Sequence, residues 1–232
     1  MTPEAEFPVP PADVLLRLTR GFSCLFWGLP AAVLLATGAM EFRLRASLKI
    51  PAYLLGVLLI FLGILLFERG PALTAQWRRR IHQALFLLML QVYLAPFIQW
   101  WRAAPGVLYY SANVLVLLAA TMGAFYVFNQ LAAETGAALG DRILRVEASL
   151  CGWVSMACLL LPAAYVAAQA ALLSGPFLET ADRYPVALLP YLLPRWMYAL
   201  ALLPFALTMT MAWRARALCW KVLCGGRSVN PP

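Results

Sequence analysis

Six long apolar stretches joined by short basic connectors occupy most of the chain: Gly21–Met40, Ile50–Phe67, Ile81–Trp101, Val107–Phe128, Ser149–Leu173 and Ala187–Trp213. An α-helix needs about 20 residues to cross a hydrocarbon layer about 30 Å thick, and these stretches have that length. Backbone groups in lipid must be paired within a helix or around a closed barrel. A barrel would alternate apolar and polar residues over segments of about 10 residues, and Leu54–Phe67 and Val114–Ala120 show no alternation. The expected fold is therefore all-α, a polytopic membrane bundle of six transmembrane helices. Composition agrees: 12% of residues are charged, whereas a soluble domain carries about 25%.

Three regions are expected: an N-terminal segment over residues 1–20, a six-helix transmembrane domain over 21–213 and a basic tail over 214–232. In the first, Pro10–Arg20 has the pattern of a short amphipathic helix lying along the membrane surface. Val14, Leu15 and Leu18 share one side, with Arg17 and Arg20 towards another. Met1–Pro11 is acidic and proline-rich where a cleavable signal would start basic, so Gly21–Met40 reads as a retained helix. The longest connector is expected at Asn129–Glu147, with Gly136 and Gly140 as breakers and Asp141 as the N-cap of the next helix.

With both termini on one side, that side holds twelve Lys and Arg residues and the other holds six, which predicts cytoplasmic termini. The connector Glu41–Lys49 runs against this bias, with Arg43, Arg45 and Lys49 on the disfavoured face. Sixteen Arg against two Lys is the usage of GC-rich coding, and the expected location is a bacterial inner membrane. The net charge of +8 is scattered over helix ends and forms no single patch, so the expected partner is an anionic lipid head group and not nucleic acid. Trp77, Arg78, Arg79 and Arg80 are the expected head-group anchors, an aromatic residue followed by three cations.

No Asp, Glu, Lys or Arg lies near the centre of any apolar stretch, whereas proton-coupled carriers usually place one there. Neutral polar residues instead form a seam in the fifth stretch. Cys151, Ser155, Cys158, Pro162, Tyr165 and Gln169 repeat every three or four residues and share one helix face. Ala163, Ala167 and Ala171 repeat nearby and permit close helix approach. The seam reads as a helix–helix contact or as one wall of a cavity. Gln91 and Asn113 are further candidates, since a carboxamide in hydrocarbon seeks a partner. In the last stretch Pro190 and Pro194 mark an irregular entry, and Pro204, with Thr208 and Thr210 beyond it, is a candidate mid-helix kink.

Reactive chemistry has little to stand on. A lone histidine, His82, gives neither paired haem ligands nor a multi-histidine metal site, so no cofactor and no metal are expected. Cys24, Cys151, Cys158, Cys219 and Cys224 include no Cys-x-x-Cys pair, and the last two read as juxtamembrane thiols. Glu179 and Asp182 form an acidic pair in the last connector, and Leu-Pro-Ala-Ala recurs at Leu29–Ala32 and Leu161–Ala164 without marking corresponding positions of two halves. The expectation is a non-enzymatic accessory, assembly or scaffold component of a membrane system, with a membrane-protein partner or a second copy of itself. The alternative is a small channel or carrier for a neutral or lipidic solute.

Overall fold

The computed structural model describes residues 10–36, 41–45, 48–51, 53–104, 107–173 and 195–225. They form six helices: α1 (Ala12–Ala36), α2 (Tyr53–Glu68), α3 (Trp77–Ala103), α4 (Leu108–Ala138), α5 (Arg142–Leu173) and α6 (Arg195–Gly225). Three contain segments long and apolar enough to cross a membrane: Trp77–Trp101, Ala112–Ala138 and Arg142–Leu161. The all-α expectation needs one amendment. An antiparallel hairpin of β1 (Glu41–Arg45) and β2 (Leu48–Pro51) links α1 to α2, pairing Phe42 with Ile50 and Arg43 with Lys49. Glu179, Asp182, Pro190 and Pro194 lie outside the described residues.

The expected surface helix at Pro10–Arg20 is not a separate element. Residues 12–36 are one helix, because Val14, Leu15, Leu18, Phe22, Leu25 and Leu29 continue a single stripe at three- and four-residue spacing across Gly21, every one at most 3% exposed. Where the sequence reading has the helix lying flat, its apolar side faces the bundle. The hydroxyls of Thr19 and Ser23 donate back to the carbonyls of Leu15 and Thr19 at 2.9 and 2.7 Å, so neither hydroxyl on that stretch is left unpaired.

Glycines bring α1 and α2 together. Gly21 and Gly28 in α1, and Gly56 and Gly63 in α2, are each seven residues apart, and the helices run antiparallel, so Gly21 meets Gly63 and Gly28 faces the Gly56–Ile60 turn. A Cβ on Gly63 would stand 2.8 Å from the Gly21 carbonyl oxygen, and one on Gly21 would stand 2.9 Å from that of Gly63. Hydrogen is the largest side chain either position accommodates without backbone movement.

Each helix packs on its neighbour in sequence, and α6 closes the ring against α1 while also touching α4. The turn from α4 to α5 is much shorter than the expected connector. Gly140, at φ +76°, ends α4; its amide bonds the Ala137 carbonyl at 3.4 Å, and the Asp141 amide bonds the Gly136 carbonyl at 2.8 Å, a Schellman closure. Asp141 does cap α5, accepting from the Leu144 amide at 2.9 Å. Gly136 is not a breaker. It lies inside α4, where a Cβ would come within 2.9 Å of the Arg145 amide nitrogen.

Candidate functional site

Extending α4 to Ala138 carries Asn129, Gln130 and Glu134 out of the expected connector and into the bundle. Asn129 is fully buried. Its Nδ2 donates to the Phe125 carbonyl at 2.9 Å and to Thr208 Oγ1 of α6 at 2.8 Å, one turn along from the Phe125–Phe205 ring contact at 4.5 Å. On the other side, a Cβ at Gly152 of α5 would touch Asn129 Cβ at 3.5 Å, so α4, α5 and α6 converge on this amide. Among the described residues Asn129 Oδ1 has no hydrogen-bond partner, and neither does the Ser155 hydroxyl, which is 0% exposed on the same helix as Gly152.

At one end of the bundle, charged side chains join neighbouring helices. Arg17 donates to the Arg69 carbonyl at 2.7 Å, linking the start of α1 to the end of α2. His82 Nε2 lies 3.8 Å from Glu68, linking α2 to α3, and Arg80 lies 3.9 Å from Glu134, linking α3 to α4. Glu147 of α5 pairs with Arg214 of α6, and Thr74 donates to the second oxygen of Glu134. Beside Glu134 is a cleft of about 370 Å³, lined by Thr74, Gln76, Gln130, Arg145 and Ser149 together with small residues that include Ala133 and Ala137.

Of the seam in α5, Ser155 and Cys158 are buried and Cys151 and Tyr165 are half-buried; the side chains of Pro162 and Gln169 lie outside the described residues. Gln91 is buried. Asn113 is half-buried and donates to the Tyr109 carbonyl of its own helix at 2.7 Å. Because Leu87 packs at the level of Gly123, and Phe97 at that of Tyr109 and Tyr110, Gln91 lies more than one turn from Asn113 along α4, and the two do not pair. Pro204 is buried inside a continuous α6.

The four expected anchors divide by helical period. Arg78 and Arg79 are exposed, but Trp77 is 1% exposed with its ring 5.7 Å from that of Phe67, and Arg80 turns inward to Glu134 and to the face of Tyr126 at 5.7 Å. Trp77 therefore seals a helix junction inside the protein. Arg145 enters the sequence reading as one of the twelve cations of one face, on the helix that Asp141 caps; Asn129 and Glu134 carry no role in it and fall in the expected connector. Their legible signal was the unbroken run Asn129–Gly136, free of proline and continuing the apolar period through Leu131, Ala132 and Ala133.

Cys219 and Cys224 lie beyond Trp213 on the continued α6, not in an extended tail. Cys219 is 0% exposed, and burial pushes its thiol up to about 12, whereas Cys224 is exposed. A water-soluble maleimide at neutral pH is expected to modify Cys224 in the folded protein and to reach Cys219 only after denaturation, with peptide mapping as the readout.

Among the described residues no group of three or more His, Cys, Asp or Glu side chains converges as a metal site would require. No family model, no curated protein and no solved structure matches this chain.

Proposed function

We propose that this chain is a six-span integral membrane protein with cytoplasmic termini, serving as a non-enzymatic accessory, assembly or scaffold component of a membrane system such as a bacterial inner membrane. The observation that carries this reading is the use made of the carboxylates. Of those with described side chains, Asp13 pairs with Arg17, Glu68 with His82, Glu134 with Arg80 and Glu147 with Arg214, while Asp141 caps α5. Each serves packing or capping, and Glu134, which also accepts from the Thr74 hydroxyl, is already engaged by Arg80. The outward faces favour the membrane: Phe86, Met89 and Tyr93 repeat along α3 at 60–69% exposed, and Ile143, Val146, Leu150 and Trp153 along α5 at 58–63%.

A channel or carrier for a neutral or lipidic solute is the second reading, and the unpaired Asn129 Oδ1 and Ser155 hydroxyl favour it, because buried polar groups normally find partners. Native mass spectrometry of protein extracted gently from its own membrane separates the two. A stoichiometric second polypeptide or a second copy is the expected result. A lone chain retaining a small solute, with saturable uptake in vesicles, would overturn the accessory role.

A further inference from the structure

We infer that the cleft beside Glu134 is a binding site for the head group of an anionic phospholipid, whose phosphodiester is held by Arg145. The cleft draws its walls from three elements: the α2–α3 connector gives Thr74, Ala75 and Gln76, α4 gives Gln130, Ala133, Glu134 and Ala137, and α5 gives Arg145 and Ser149. At about 370 Å³ it falls within the range of small-molecule sites, about 300–1,000 Å³. Its positions are fixed by backbone contacts, since Gly136 packs against the Arg145 amide and leaves no room for a Cβ. Arg145 and Ser149 are one turn apart and line the same wall.

Charge selects the ligand. Glu134 already receives Arg80 and Thr74, while Arg145 has neither an ion pair nor a hydrogen-bonding acceptor among the described residues. The adjacent start of α3 adds to the imbalance: the cleft residue Gln76 precedes it without supplying a side-chain cap, and the exposed Arg78 and Arg79 follow where the helix dipole is itself positive. Cations in a first turn are unfavourable, and an anion there offsets both the arginines and the uncapped amides. A phosphodiester meets Arg145 through two oxygens, Gln130 and Ser149 offer neutral donors for the head group, and the lining alanines suit the glycerol backbone. A zwitterionic lipid carries no net charge to offset this surplus.

This inference rests on the membrane reading, and the two are tested separately. Native mass spectrometry of the full chain from nanodiscs of phosphatidylglycerol in phosphatidylcholine is expected to retain a stoichiometric phosphatidylglycerol. R145Q is expected to weaken that retention about tenfold, R145K to restore part of it, and K221Q, an exposed cation outside the cleft, to leave it unchanged. Equal loss in R145Q and K221Q, or no loss in R145Q, would overturn the site. Inorganic phosphate that binds through Arg145 while lipid does not would overturn a lipid as the source of the phosphodiester. Alkaline carbonate extraction addresses the membrane reading alone: release of the wild-type chain into the soluble fraction would remove that premise, whatever the R145Q result.

Discussion

Leucine at Gly56 or Gly63 is expected to force α1 away from α2 and to cost about 3 kcal/mol of stability, at the upper end for overpacked interiors. The reason is backbone against backbone. A Cβ at Gly63 meets the Gly21 carbonyl oxygen at 2.8 Å, and one at Gly56 meets the backbone of Ala32 at 2.6 Å, so no rotamer change relieves either contact. The same helix carries Val57, Ile60, Ile64 and Phe67 into the main core, which would separate with it. Thermal unfolding in detergent, followed by circular dichroism, is the measurement. Gly225→Ala, with open space around its Cβ, is the control and should unfold with the wild type. Matching melting curves for Gly63→Leu and the control would show that α1 and α2 are not held at glycine distance.

Asn129→Asp is the second large effect, because it is nearly isosteric yet replaces the amide that donates to the Phe125 carbonyl and to Thr208 with an acceptor-only carboxylate. Asn129 is 0% exposed, and its Oδ1 is already without a donor among the described residues, so an ionised carboxyl there is buried without an ion-pair partner among them. The expected cost at neutral pH is about 3 kcal/mol, the scale of an acidic residue at the centre of a membrane helix. Burial raises the pKa of the introduced carboxyl, so the folded state keeps it neutral while the unfolded chain ionises above about pH 4. Stability is therefore retained below that pH and lost as pH rises towards the folded-state value, the reverse of a salt-bridged carboxylate. Asn129→Leu, which removes the unpaired oxygen, should cost less, since it loses the bonds to the Phe125 carbonyl and to Thr208 but buries no charge. Equal stability of Asn129→Asp and wild type at neutral pH would mean that water reaches this junction, and the solute pathway would become the leading reading.

The helical character of this chain was legible in its sequence because it follows from period and solvent alone. Runs such as Ile81–Trp101 cannot satisfy their backbone in lipid except as helices, and Gly140 followed by Asp141 spells a helix stop and a helix start in adjacent residues. The inward turn of Ser155 and Cys158 also follows from spacing, since groups repeating at three and four residues must share a face. What only the tertiary structure decided is which charged or polar residue meets another helix. The amphipathic split of Val14, Leu15 and Leu18 from Arg17 and Arg20 predicts a surface helix over Pro10–Arg20, yet Arg17 reaches the Arg69 carbonyl while Val14, Leu15 and Leu18 face the bundle. Trp77 and Arg80 share a sequence pattern with Arg78 and Arg79, but a helix turns 100° per residue, and only the positions of α2 and α4 determine that Trp77 meets Phe67 and Arg80 meets Glu134 while the other two face the surroundings. Asn129 looked like the start of a loop because polarity along a sequence does not distinguish a solvated amide from one bonded across a helix junction. Thr208, 79 residues away, makes that difference, and long-range pairing of this kind is a property of the packed helices, with no local periodicity to announce it.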